Sequence, residues 1–192
     1  MSILSIRTVP DPVLRTVSDP VPAERWGTEK LHALIADMFE TMRAVKGVGL
    51  AAPQIGINQR IFVFDLERES GVVINPTLEL SEELTEEPGE GCLSVPELHY
   101  QPPRAFSTTV RGVDADGAEI SFSGTGLLAR CFQHEVDHLD GKLFVDRLVG
   151  EQRKEARRRM SAPDYGAATA QTQAGRESGL TSSFGLRGQG SR

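Results

Sequence analysis

The chain has 192 residues, 39% hydrophobic and 25% charged, with a formal net charge of −6. That length suits one domain with a real core and is short for two; the acidic balance argues against a protein that grips nucleic acid by neutralising phosphates over a broad face. No apolar run approaches a membrane span, and Pro10 and Asp11 interrupt the start before a signal-like segment could form, so a cytoplasmic location is expected, with neither membrane nor sequence-specific nucleic acid as partner.

In chain order, Leu31, Leu34, Ile35, Met38, Met42 and Val45 recur at helical spacing after Thr28, which predicts a capped amphipathic helix over 28–46, ended by Gly47. Arg60–Asp65 and Val72–Asn75 read as two strands of a hairpin around a turn at Ser70-Gly71. A second pair, about Thr108–Val113 and Glu119–Phe122, brackets Asp114–Gly117. Residues 125–139 form a second, apolar and central helix, with Thr125 as cap and Gly141 as stop. A charged helix from about Glu151 to Met160 closes the folded part. This pattern predicts an α+β fold, antiparallel sheets packed around the central helix with an N-terminal and a C-terminal helix. The domain is expected over 1–162. Beyond Pro163 the composition turns to Gly, Ser, Ala, Gln and Thr, so 163–192 reads as a mostly disordered tail.

Three segments carry chemistry. His134-Glu-Val-Asp-His138 lies on the central helix, and histidines four apart on one face can bind one metal ion, with Glu135 beside its open position. Bound metal acidifies water, and a glutamate there can accept the proton and return it to a leaving group. The alternative is a chance spacing, with Glu135 and Asp137 merely solvating a helix face. Two histidines leave the ion short of a third protein ligand. A peptidase-like arrangement would take it from Glu151 or Glu155; the other candidate is Cys92 in Glu90-Gly-Cys-Leu-Ser94, where Leu93-Ser94-Val95 could run as an exposed edge strand. A lone cysteine is more often a small buried hydrophobe, and Cys131 reads that way. Gly47-Val-Gly-Leu-Ala-Ala-Pro-Gln54 could be only a close-packed turn, but a Gln54 amide could also donate to an oxyanion.

Together and in this order, Gly47–Gln54, Glu90–Ser94 and His134–His138 resemble the marks of the peptide deformylases, over roughly residues 5 to 150. The resemblance implies Cys92, His134 and His138 as metal ligands, Glu135 as catalytic acid and base, and the Gln54 side chain and Leu93 backbone N–H as oxyanion donors. It implies removal of formate from the N-formylmethionine of newly made polypeptides. The implied ion is Fe2+, with Zn2+, Ni2+ or Co2+ as possible substitutes. A methionine pocket is expected around Val48, Gly49, Leu127 and Cys131.

Softer signals surround these. Arg130 lies next to the expected pocket, where many family members carry an apolar side chain; it either shapes the rim or points to solvent. The Pro96–Arg104 segment reads as a loop, either lining a substrate groove or simply connecting elements. Glu90 and Arg104 could pair across the site, His99 is not expected to be a ligand, and Glu82, Glu83, Glu86 and Glu87 read as a solvated acidic loop. Arg153, Lys154, Arg157, Arg158 and Arg159 make a basic helix that is either solvated or in transient contact with the ribosome. The rivals to deformylation are an endopeptidase using Glu151 or Glu155, and a metal-stabilised binding module that does not need Glu135.

Overall fold

A computed structural model describes residues 3–66, 69–85, 88–167 and 169. The first helix, α1 (Glu29–Ala44), starts where the Thr28 hydroxyl accepts the Leu31 N–H at 3.3 Å. Its end differs from the expected glycine stop: Lys46 takes the left-handed conformation (φ 55), and the Gly47 N–H returns to the Met42 carbonyl at 2.8 Å. The strands follow as β1 (Gly49–Ala51), β2 (Ile61–Leu66), β3 (Glu69–Leu80), β4 (Leu84–Thr85), β5 (Glu90–Cys92), β6 (Val95–Tyr100), β7 (Arg104–Ala105), β8 (Ser107–Val113) and β9 (Glu119–Thr125). They lead into α2 (Gly126–Leu139) and, later, α3 (Gly150–Met160).

An antiparallel sheet in the order β1-β2-β3-β8-β9 divides the molecule, and two small ribbons, β4-β7 and β5-β6, stand beside it. β2 shows why its sequence is a continuous apolar run: alternate residues leave opposite faces, and both faces are covered. Ile61 and Val63 meet Leu31, Ile35, Met38 and Met42 of α1, while Phe62 and Phe64 meet Cys131, Phe132 and Val136 of α2. Phe132 stands edge-on to Phe64 with ring centroids 5.0 Å apart. Each such side chain contributes about 1.5–3 kcal/mol by leaving water, so α2 is held between the large sheet and the ribbons. The α+β architecture of antiparallel sheets around that helix is the one expected.

Several local expectations are corrected. Ser70 and Gly71 are paired strand residues opposite Asp65 and Phe64, and the hairpin pairing runs on to Leu66 opposite Glu69. β3 continues to Leu80, its second half pairing with β8 past an irregularity between Ile74 and Thr77. Asn75, there at φ 51, exchanges both amide hydrogen bonds with the Val21 backbone. Residues 96–100 of the presumed Pro96–Arg104 loop are strand, because β6 pairs with β5. Thr125 stands at the N-cap of α2 without a side-chain cap bond, whereas Gly141 does follow the helix in the left-handed region (φ 68).

Residues 163–167 and 169, expected as tail, are described and in part packed against the domain. Tyr165 is buried among Leu14, Val95, Leu98 and Leu148, and its hydroxyl donates to the Pro96 carbonyl at 3.1 Å. An aromatic ring with a bonded hydroxyl is enough to hold a short segment of otherwise polar composition. Residues 170–192 lie outside the described residues. No helix among the described residues is long and apolar enough to cross a membrane.

Candidate metal centre

Arg130, His134, Asp137 and His138 of α2 face the ribbons, opposite its sheet-facing apolar side. His134 and His138 stand one turn apart, edge to face, with ring centroids 5.0 Å from each other. Cys92 arrives from the end of β5, where the chain turns through Leu93 and Ser94 into β6; of the segment expected as an exposed edge strand, Leu93 and Ser94 form this turn and Val95 opens β6, all three buried. The Cys92 Sγ lies 3.2 Å from His138 Nε2 and accepts the Ser94 N–H at 3.4 Å. One ligand atom from each of Cys92, His134 and His138 falls within 4.8 Å of the others, and all three residues are buried. Tetrahedral donors around a zinc-sized ion stand on the order of 3.5 Å apart, so a small inward adjustment would close this set on one ion. Burial opposes ionisation of the Cys92 thiol, but the neighbouring His138 and His134 hold it well below the ordinary thiol range. A thiolate and two imidazoles suit a borderline-soft divalent ion.

Behind the histidines lies a salt-bridge network. His134 Nδ1 meets Glu90 Oε2 at 2.9 Å, which fixes the ring so that its other nitrogen faces Cys92 and His138. Glu90 is fully buried, and Arg104 grips both its oxygens, at 2.7 and 2.9 Å. The third arm of Arg104 reaches Asp137 at 2.6 Å, and Arg147 holds the same carboxylate at 2.5 and 3.1 Å. Burial works against the charge on Glu90, yet the hydrogen bonds from His134 and Arg104 keep its carboxyl well below the usual range. The expected Glu90–Arg104 pair is therefore present. Arg130 is corrected: it is 1% exposed and turned inward onto Glu90, not toward solvent or a pocket rim. Asp137, which the chance-spacing alternative would leave solvating a helix face, is a buried anchor between two arginines.

Glu135 faces the donor set from the sheet side. It is 2% exposed, its Oε2 has no hydrogen-bond partner among the described residues, and burial pushes its pKa up to about 7 against the pull of His134 and His138. It fits because Gly49 has no side chain: a Cβ there would collide with Glu135 Oε1 and stand 2.8 Å from Cys131 Sγ. Both neighbours are walled in, so Gly49→Ala should move Glu135 by a substantial fraction of an ångström. We expect it to lower kcat by about 10²-fold with metal content unchanged, read by steady-state kinetics beside metal analysis. Unchanged kcat would show that the Glu135 position is not critical.

Gln54 sits in the 3-10 turn Ala52–Ile55 that follows β1. Its carbonyl oxygen accepts the Ala51 N–H at 2.8 Å, which commits the amide nitrogen to the other side, 4.0 Å from Cys92 Sγ and 3.4 Å from Ser94 Oγ. Val48, Leu127 and Cys131 join one apolar cluster next to Gly49, with Leu127 half-buried. Burial, then the charge of Glu135, push the Cys131 thiol well up, so it behaves as the small hydrophobe expected. Glu151 and Glu155 are exposed on α3, and Glu151 pairs with Lys154; neither enters the donor cluster, nor does exposed His99. Glu82 and Glu83 are exposed as expected, while Glu86 and Glu87 lie outside the described residues. The basic residues Arg153, Lys154, Arg157, Arg158 and Arg159 are exposed along α3.

Sequence reasoning passed over two supports. Gln133 closes a three-point hydrogen bond on Ala105 N–H, Ala105 O and Thr108 Oγ1, which pins the strand carrying Arg104 to α2. Phe144 stacks on His134 at 6.2 Å. A buried glutamine one residue before a metal-ligand motif was the only available signal, and it is a weak one.

The chain is similar to known proteins over most of its length. The sequence model of the family described as polypeptide deformylase matches residues 3–154. A peptide deformylase of Acidothermus cellulolyticus is 46% identical over 169 residues, covering 88% of this chain and 92% of its own. One of Mycolicibacterium paratuberculosis is 47% identical over 180 residues, covering 86% and 91%. Among solved structures, an Ehrlichia chaffeensis peptide deformylase in complex with actinonin is 38% identical with a TM-score of 0.74, covering 81% of this chain and 94% of that one. A Met-Ala-Ser-bound class I type b peptide deformylase of Acinetobacter baumannii is 34% identical with a TM-score of 0.74, covering 77% and 99%.

Proposed function

The chain belongs to the polypeptide deformylase family, and from that premise we propose how its residues carry out the removal of the N-terminal formyl group that defines the family. In this reading Cys92, His134 and His138 hold one ferrous ion, for which Zn2+, Ni2+ or Co2+ can substitute. The observation that carries it is the buried Cys-His-His donor set with the buried, unpartnered carboxylate oxygen of Glu135 beside it.

When bound, the ion acidifies water and polarises the formyl oxygen. Glu135 takes the proton from the attacking water and delivers it to the methionine nitrogen as the C–N bond breaks, leaving formate and a free N-terminal amine. A pKa lifted by burial suits a group that must both accept and release a proton near neutral pH. Gln54 Nε2 and the Leu93 backbone N–H donate to the developing negative oxygen; a preorganised donor of this kind supplies about 2.7–4 kcal/mol of barrier lowering. Val48, Gly49, Leu127 and Cys131 seat the methionine side chain.

The substrate is the N-formylmethionyl end of a nascent polypeptide, met in the cytoplasm. The deciding assay is formate release from formyl-Met-Ala-Ser by anaerobically purified, ferrous-loaded protein, with the metal analysed as isolated. Release supports the reading; absence of release from metal-loaded protein overturns it. A transient ribosome contact through exposed α3 belongs to the same proposal. Neutralising Arg153, Arg157, Arg158 and Arg159 together should then lower co-sedimentation with ribosomes at low salt, and unchanged co-sedimentation removes the contact.

A further inference from the structure

Arg130 has no part in the chemistry above, yet it is among the largest fully buried side chains of the molecule. Burying a guanidinium costs several kcal/mol unless its donors are matched; here both terminal nitrogens are aimed at specific acceptors, while Nε has no partner among the described residues. Nη1 donates to Glu90 Oε1 at 2.8 Å and to the Pro102 carbonyl at 3.1 Å, and Nη2 donates to the Thr85 carbonyl at 3.2 Å. Three separate segments thus converge on one side chain of α2: the end of β4, the strand β5 that carries Cys92, and the connection before β7.

The register of these contacts gives them meaning. Arg130 and His134 are four residues apart on one face of α2. They take the two oxygens of the same carboxylate, Arg130 at Oε1 and His134 at Oε2. Glu90 is therefore bracketed by one turn of the helix that bears both imidazoles, and Cys92 lies only two residues further along the strand. Arg104 also holds Glu90, from β7, and ties it to α2 at Asp137, so Arg130 adds a second tie to the helix, one turn before His134.

We infer that Arg130 is a positioning residue of the metal centre: by bracketing Glu90 together with His134, it sets the register between the strand carrying the thiol ligand and the helix carrying the imidazole ligands. The inference rests on the reading of Cys92, His134 and His138 as ligands. A carboxylate behind a metal-bound imidazole governs ring orientation, and losing such support costs about 10- to 100-fold in metal affinity. Arg130→Met keeps length and apolar volume but removes the bracket, leaving Glu90 tied to α2 only by His134 and, through Arg104, by Asp137. Arg130→Lys keeps one charge and one contact to Glu90 but cannot reach all three acceptors from a single ammonium.

Cobalt(II) substitution of the full chain tests this without recourse to turnover. Wild type should show a thiolate-to-cobalt charge-transfer band and tetrahedral ligand-field bands. Arg130→Met should show shifted ligand-field bands and about 10- to 100-fold weaker cobalt retention against a competing chelator, and Arg130→Lys should lie between the two. A merely structural role would lower the melting temperature of the metal-free variants while leaving cobalt spectrum and affinity at wild-type values, and that result overturns the inference. If Arg130→Met does not fold, the lysine variant decides by the same comparison. Absence of the charge-transfer band from wild type itself would instead sink the ligand assignment, so the two failures are distinguishable.

Discussion

Glu135→Gln should leave the protein folded and metal-loaded while lowering formate release by about 10²- to 10⁴-fold, the range for losing a general acid–base group. That corresponds to about 2.7–5.4 kcal/mol of barrier. The substitution is close to isosteric, and the site tolerates little else: Gly49 backs one carboxylate oxygen so closely that not even a methyl group fits between them. A glutamine amide occupies the same space but cannot accept a proton from water at neutral pH. Metal content should hold, because Glu135 contributes no atom to the Cys92, His134 and His138 set. Steady-state formate assays with metal analysis of the same samples give the answer. Near-wild-type turnover would remove Glu135 from the acid–base role, and loss of metal would make Glu135 part of the ion's hold.

The sequence exposes the chemistry of this chain better than the scaffolding of its site. His134, Glu135 and His138 are legible because four-residue spacing on an apolar helix has one geometric outcome. Gln54 and Cys92 are legible only jointly, as segments in a recognisable order, since each alone reads more readily as packing. The supports are poorly legible because they depend on pairings between distant segments. Arg104 reaches Glu90 and Asp137 only once Gln133 has pinned Ala105 against α2, and no local pattern announces that. Arg130 was misread because a charged residue beside an apolar stripe ordinarily points outward; three acceptors from separate segments reverse that preference. At the level of elements, β2 is easy, being an apolar run covered on both faces. The ribbons β4-β7 and β5-β6 are two to six residues long and carry Pro, Glu and Gly, so their pairing is set by the helix and sheet around them, not by strand propensity.

Cys92→Ser should separate the two enzymatic readings. Serine preserves the size and the turn but replaces a soft, ionisable thiol with an alcohol that stays protonated near neutral pH, so the ion loses its one anionic donor. His134 and His138 alone make a two-point site, and we expect metal retention to fall by well over 10-fold, with formate release falling in proportion to the metal lost. The contrasting expectation comes from the peptidase arrangement, in which Glu151 or Glu155 completes the site and Cys92 is an inert hydrophobe. Geometry weighs against it: the Glu151 side chain is 87% exposed and paired with Lys154, while Cys92 Sγ already stands 3.2 Å from His138 Nε2. Bringing α3 to the histidines would also require breaking the packing of Ala156 against the Leu143–Leu148 segment. Equilibrium dialysis of the serine variant, with Glu151→Gln/Glu155→Gln as its partner, makes the comparison direct. Metal lost from the serine variant and kept by the double variant fixes the thiol as third ligand; the reverse pattern would overturn the Cys-His-His assignment and with it the deformylase geometry drawn around Glu135.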